Sequence, residues 1–299
     1  MNSETIRIGT RKSALAVAQT KLVADALTQE SSGFAAQLVL KQTKGDRILN
    51  KPLLEFGGKG VFVEEFEEGL LRGEIDLAVH SAKDLPMDLK EGLSIVAVPK
   101  REDPRDVLIT LHGDDLLKKE EIIIGTSSLR RRIQIEAIGA SMWNGIPMRC
   151  ENLRGNVNTR LNRLLEGEFD GIILAAAGLK RLEIQSDPAF DYHYFDCETM
   201  IPAGGQGILA VEGREEAEAW QAVKAIEDRE ARVCLTLERR ILKLLNAGCH
   251  EPVGVYCRLK EGQMEVLGIS KRGVLIKRVH LWGTIDELEH LAKQAAEKL

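Results

Sequence analysis

Aromatic side chains make up only 4% of the 299 residues, and the formal net charge is −5. A surface that grips nucleic acid needs a basic domain with aromatics interleaved among its cations, so that class is disfavoured. Cysteine is scarce and odd in number: Cys150, Cys197, Cys234, Cys249 and Cys257, none in C-x-x-C spacing. That argues against a disulfide framework and against a zinc site. No apolar run approaches the ~20 residues that a membrane span requires. The opening Met1-Asn2-Ser3-Glu4-Thr5 leads into a strand without a signal peptide's apolar core. The expectation is a cytoplasmic chain with no metal, nucleic-acid or membrane partner, a monomer by default, and long enough for two or three compact domains.

Arginine is plentiful at the ends of elements that otherwise read as buried. Ile122–Ile124 is a short apolar strand, Gly125-Thr126-Ser127-Ser128 a polar turn, and Leu129 opens a helix whose first turn carries Arg130, Arg131 and Arg132. Cations there oppose the helix macrodipole. A bound polyanion would reconcile them, because free N–H groups, hydroxyls and guanidinium forks all suit carboxylate or phosphate. Leu153-Arg154-Gly155-Asn156-Val157-Asn158-Thr159-Arg160 and Gly178-Leu179-Lys180-Arg181 repeat the pattern. A solvated basic face is the plainer alternative. Since the arginines run against the global charge, a small polyanion fits them better than nucleic acid.

Two echoes organise the chain. Ile6–Ile8, Gly9-Thr10 and a helix from Ala14 to about Leu27 share their grammar with the segment at Gly125-Thr126, 116 residues on (125 − 9). Leu70–Val79, with Gly73 and Asp76, resembles Leu164–Ile173, with Gly167 and Asp170. The order suggests two similarly built α/β halves with parallel sheets. Ligands of such sheets lie beyond the strand carboxyl ends, where the turns Thr10–Ser13, His80–Asp84, Thr126–Arg131 and Gly178–Arg181 fall. The charged link Lys100–Asp106 and the stretch near Tyr194–Thr199 read as two crossings, hence a hinge. The expected division is residues 1–99 with 200–218, then 104–196, then 224–299. The last is a small α+β domain with a helix Asp228–Asn246, strands Val253–Lys260, Met264–Ser270 and Val274–Leu281, and a terminal helix from Asp286. Gly57–Gly60, with three glycines in four positions, reads as a mobile loop. The i, i+4, i+8 spacing of Phe62, Phe66 and Leu70 reads as core.

Two residues carry potential chemistry. Asp84 follows the strand Asp76–Val79 at once, among Arg11, Lys83 and the arginines of the second half. A carboxylate so placed stays ionised beside cations and suits a cation that develops during reaction; capping a helix or bridging Lys83 are the structural alternatives. Cys249 sits in the turn Asn246–Pro252. A thiol in a turn is less protected than one in a core and can form covalent adducts, although an exposed structural cysteine would look the same.

Seven motifs in order then mark a resemblance: I-G-T-R-K-S-A-L-A from Ile8, G-G-K-G-V-F-V from Gly57, H-S-A-K-D-L-P from His80, G-T-S-S-L-R-R from Gly125, L-R-G-N-V-N-T-R from Leu153, A-G-L-K-R-L from Ala177, and G-C-x-x-P at Gly248. Over nearly its whole length the chain resembles the porphobilinogen deaminase, or hydroxymethylbilane synthase, family. Departures are small: Ala247-Gly248-Cys249 where Gly-Gly-Cys is usual, and Ile241 where Phe is common. The resemblance implies an α/β fold of two hinged domains like the type II periplasmic binding proteins, plus a small α+β C-terminal domain. It also implies a dipyrromethane cofactor joined to Cys249 by a thioether, porphobilinogen as substrate and a growing oligopyrrole chain. Four units would be added with loss of ammonia from each, Asp84 being the catalytic carboxylate.

Cofactor-binding positions implied beside Cys249 are Ser13, Lys83, Thr126, Ser127, Ser128, Arg130, Arg131, Arg154, Gly155 and Arg160. Arg11, Gln19, Phe62, Ser81 and Arg181 are implied to bind substrate. Every pyrrole carries an acetate and a propionate, which accounts for the arginines, since guanidinium forks hold carboxylates bidentately where lysine cannot. The competing class is a non-catalytic, two-domain binding protein for an organic polyanion, which would use the cleft but neither Cys249 nor the third domain. An anion-regulated DNA-binding protein is weaker still, for want of a helix-turn-helix.

Overall fold

The computed structural model describes residues 4–30, 34–41, 63–215, 223–248 and 251–299. Phe62, the Gly57–Gly60 loop and Cys249 lie outside the described residues. The chain divides into two compact units, Met1–Glu102 with Ile208–Thr236, and Asp103–Gly207 with Leu237–Leu299. In chain order the first unit holds β1 (Glu4–Arg11), α1 (Ala14–Glu30), β2 (Phe34–Lys41), α2 (Glu64–Leu71), β3 (Leu77–Ser81) and β4 (Leu93–Ala97). The second holds β5 (Asp106–Leu111), β6 (Ile122–Gly125), α3 (Leu129–Met142), β7 (Met148–Glu151), α4 (Val157–Leu165), β8 (Gly171–Ala175), α5 (Ala176–Arg181) and β9 (Phe190–Tyr194). The chain then returns to the first unit as β10 (Leu209–Arg214). No helix among the described residues is long and apolar enough to cross a membrane.

The sheets run β2-β1-β3-β10-β4 and β7-β6-β8-β5-β9. In each, the fourth strand is antiparallel to both neighbours, β10 to β3 and β4, β5 to β8 and β9. The sheets are therefore mixed rather than parallel as the βα alternation suggests. Each takes as its inserted strand the segment formed just after the chain enters that unit. The two sheets thus share one strand order, with the inserted antiparallel strand in the fourth place of each.

Both echoes in the sequence have a physical cause. The Asp76 carboxylate accepts from the Arg7 backbone N–H at 2.8 Å while the Asp76 N–H donates to the Arg7 carbonyl at 2.8 Å. Asp170 does the same with Ile123, at 2.7 and 2.9 Å. A Cβ on Gly9 would lie 2.5 Å from Ile75 and 2.9 Å from the Phe66 ring; on Gly125 it would lie 2.9 Å from Phe169 and 3.0 Å from Ile172. Each glycine thus lets its strand lie against the side chain that precedes the aspartate. Gly73 and Gly167, at φ +68° and +74°, end α2 and α4 in the left-handed conformation that glycine adopts without a steric penalty.

The remaining elements are α6 (Arg229–Leu244), the antiparallel sheet β11 (Val253–Lys260), β12 (Gln263–Arg272) and β13 (Leu275–Gly283), and α7 (Leu288–Lys298). The second strand extends to the turns at Gly262 and Gly273, and the third starts one residue later than expected and continues to Gly283, which pairs with Met264. Glu238 of α6 is fully buried; it accepts from the Gly205 N–H at 2.6 Å and the Cys257 N–H at 2.7 Å, fastening β11 to the segment 201–207.

Candidate active site

In the first unit, β3 runs straight into a 3-10 turn, Ala82–Asp84. The Ala82 N–H donates to the Ile208 carbonyl at 3.0 Å, which carries the β3–β10 ladder into that turn. Asp84 is exposed and takes no hydrogen bond or ion pair among the described residues. Two implied substrate residues meet directly: Gln19, on α1, donates from Nε2 to the Ser81 hydroxyl at 2.9 Å. Ser13 caps α1 by accepting from the Ala16 N–H at 3.4 Å. Arg11, at the end of β1, and Lys83, in the turn, are half-buried and already engaged in interactions.

In the second unit, β6 and β7 end side by side and two helices begin there. Ser128 caps α3 by accepting from the Arg131 N–H at 3.4 Å, and Asn156 caps α4 by accepting from the Thr159 N–H at 2.9 Å. Ser127 donates to the Leu153 carbonyl at 2.9 Å and the Thr126 N–H to Glu151 at 2.8 Å, bringing Thr126, Ser127, Ser128, Arg154 and Gly155 together. Gly155 stands at φ +106°, where a Cβ would fall 2.8 Å from Thr159, so the turn into α4 requires glycine. Arg160 donates to the Gly155 carbonyl at 2.8 Å. Arg181, at the end of α5, donates to the Gly207 carbonyl at 2.7 Å.

Arg130 and Arg131 are only 4% and 6% exposed. Their partner, which sequence reasoning missed, is Asp106. Fully buried at the start of β5, it accepts from Arg130 Nη1 at 2.7 Å and from Arg131 Nε at 2.9 Å. Arg130 also donates to the Ile201 carbonyl at 2.7 Å, Arg131 to the Ile173 carbonyl at 2.8 Å, and Gln206 to Asp106 at 3.1 Å. Burial pulls the Arg130 guanidinium below its ordinary pKa and the Asp106 charge opposes it. The macrodipole conflict is thus met partly from within: among the described residues, one buried carboxylate serves both cations. An aspartate opening the apolar strand Asp106–Leu111 was the one available signal. Nearby, burial pushes Asp103 up, but hydrogen bonds from Arg105 outweigh it and hold the carboxyl below its usual range.

This donor set fits a carboxylate-bearing ligand. It offers two helix N-termini, hydroxyls, guanidinium groups and a glycine turn with no room for a Cβ. The class is therefore an α/β protein of two compact units whose first unit exposes a carboxylate, Asp84, without a partner among the described residues, just after a strand end. Comparison with known proteins narrows it. The family profile "Porphobilinogen deaminase, dipyromethane cofactor binding domain" matches residues 6–222, and "Porphobilinogen deaminase, C-terminal domain" matches residues 232–299. The porphobilinogen deaminase of Clostridium acetobutylicum is 38% identical over 297 residues, covering 98% of either chain. That of Syntrophotalea carbinolica is 40% identical over 304 residues, covering all of this chain and 93% of its own. The chain belongs to the porphobilinogen deaminase family: it is a transferase of tetrapyrrole biosynthesis with a dipyrromethane cofactor. The non-catalytic binding-protein alternative is not favoured by this membership.

Proposed function

We propose that the chain deaminates porphobilinogen and joins four units head to tail on its cofactor, releasing hydroxymethylbilane and ammonia, and that it works as a cytoplasmic monomer of three domains, residues 1–99 with 200–218, 104–196 and 224–299. The observation that carries this reading is the Asp84 carboxylate, exposed, without a partner among the described residues and set at a strand end by the β10 ladder. When bound, dipyrromethane supplies a primer pyrrole with a free α-carbon. Cys249 is the thiol assigned to hold it. Ser13, Lys83, Thr126, Ser127, Ser128, Arg130, Arg131, Arg154, Gly155 and Arg160 are assigned to its acetate and propionate groups, each charge-assisted bond contributing roughly 1.5–3 kcal/mol. Arg11, Gln19, Phe62, Ser81 and Arg181 are assigned to the incoming porphobilinogen.

Asp84 accepts the pyrrole N–H of porphobilinogen. As the aminomethyl nitrogen leaves with its bonding pair, positive charge develops on the ring, and a fixed carboxylate at the ring N–H stabilises it. The same carboxylate would stabilise the positive ring charge through the coupling that follows, until the α-proton departs, so Asp84 would serve both steps. The Gln19–Ser81 contact holds polar groups at the same strand end. Asp84→Asn keeps the hydrogen-bonding shape and removes the charge. It is expected to fold and to retain cofactor while losing nearly all ammonia release; near-normal release would overturn the assignment.

A further inference from the structure

The two units place their elements at matching positions, so each serves as a control for the other. The first unit's Gly73, Asp76 and Ala82 correspond to Gly167, Asp170 and Ala176, an offset of 94 residues (170 − 76), in conformation and in backbone bonds. The inserted strands correspond with an offset of 103 (209 − 106), because Leu209 pairs with Ser81 as Asp106 pairs with Ala175. On these offsets Glu67, His80 and Glu212 of the first unit stand where the second has Leu161, Leu174 and Ile109. Those three belong to one buried apolar cluster. The fold is therefore satisfied there by hydrocarbon.

The first unit instead carries a polar trio there, two buried glutamates and a His80 side chain that is 9% exposed. His80 Nε2 lies 2.9 Å from Glu212 Oε2, with Glu212 fully buried and its other oxygen taking no hydrogen bond among the described residues. Glu67, on α2, is 6% exposed; one oxygen accepts from the Lys90 N–H at 3.1 Å and the other lies 4.0 Å from Lys90 Nζ. The Phe66 ring meets His80 edge-on at 5.8 Å. Lys90 also pairs with Glu68 of α2 at 3.9 Å, as Arg72 does at 3.5 Å, while the pairs of Lys41 with Glu74 and Arg214 with Asp76 sit at the opposite end of β3. Burying ionisable groups where leucine and isoleucine would do is costly. The trio is also confined to the unit whose turn carries Asp84; the matching position of the second unit is Gly178.

We propose that Glu212, His80 and Glu67 are positioning residues for Asp84: the His80–Glu212 bond ties β3 to β10 two residues before the 3-10 turn and fixes where the Asp84 carboxylate projects. This rests on the catalytic role assigned above to Asp84. None of the three is required to touch substrate. Loss of the tie loosens β3 against β10 just before the turn, and a displacement near 1 Å at a reacting group costs about a hundredfold in rate.

The test transplants the second unit's solution into the first: Glu67→Leu, His80→Leu and Glu212→Ile together, beside Glu212→Gln alone, in the cofactor-bearing protein. Expected for the triple variant are a melting temperature at or above wild type, a dipyrrole occupancy by intact mass equal to wild type, a KM within about threefold and a kcat lower by about a hundredfold. Glu212→Gln, which keeps an acceptor for His80, is expected to fall between the two and answers the question if the triple variant does not fold. Wild-type kcat in either variant, or a loss of kcat that merely follows lost occupancy or lost stability, overturns the proposal. Failure of the wild-type protein itself to release ammonia from porphobilinogen would instead overturn the functional reading.

Discussion

Removing the charge of Asp106 isolates the question of what Arg130 and Arg131 do. In Asp106→Asn both guanidiniums, 4% and 6% exposed, lose the carboxylate 2.7 Å away and keep one backbone carbonyl each. Breaking a buried ion pair by removing one partner costs roughly 3–5 kcal/mol. The two pairs share one carboxylate, so their costs are not additive. The asparagine carbonyl still accepts one bond, which places the expected loss near the lower figure, about 3 kcal/mol. Trp143, buried in the same unit, reports it by fluorescence during urea unfolding, as a lower midpoint at unchanged slope. A second variant separates packing from function. Asp106→Leu with Arg130→Met and Arg131→Leu replaces all three charges by hydrocarbon, leaves Gln206 its bond to the Pro104 carbonyl and is expected to recover stability to within about 1 kcal/mol of wild type, yet to acquire no dipyrrole. A loss under about 1 kcal/mol in Asp106→Asn, or full cofactor loading of the apolar triple variant, would refute the claim that one buried anion holds two ligand-binding arginines.

Gly125→Ala forces a Cβ to within 2.9 Å of Phe169 and 3.0 Å of Ile172, in a packed core, and is expected to destabilise by about 1–3 kcal/mol; an unchanged melting temperature would show that the strand has room. For Asp76, burial pushes the carboxyl up but the hydrogen bonds from Arg7 outweigh it, so its pKa in the folded chain is depressed. A depressed carboxylate contributes stability above its unfolded pKa of about 3.9, and that contribution is lost as pH falls through the folded value. The stability gap between wild type and Asp76→Asn is therefore expected to be full near about pH 6 and to close on acidification below about pH 4. A gap that widened in acid would contradict the sign.

Much of the fold was legible because it rests on local chemistry. Gly9 and Gly125 mark strands that pass close to a large side chain, Gly73 and Gly167 mark helix ends, and Asp76 and Asp170 hydrogen-bond the neighbouring strand; these are the residues that made the two echoes visible. The turn Ala82–Asp84 was likewise readable from an apolar strand meeting polar residues. The antiparallel β5 and β10 were not, since strand direction depends on where a distant segment re-enters its sheet. Nor was the burial of Arg130 and Arg131. Sequence marks them as cations at a helix start, but the acid that satisfies them lies 24 and 25 residues away, in a link that reads as a solvated crossing. Glu212 escaped notice for the same reason: its partner His80 is 132 residues distant. Only its counterpart Ile109, in the other unit, reveals that a buried acid there is a choice.

Intact-protein mass gives the most direct measurement, taken on the chain as purified and on Cys249→Ser. An excess of two porphobilinogen-derived pyrrole units on the first and none on the second is predicted. A wild-type chain at its bare sequence mass, or the same excess on the serine variant, would contradict covalent chain growth from that thiol.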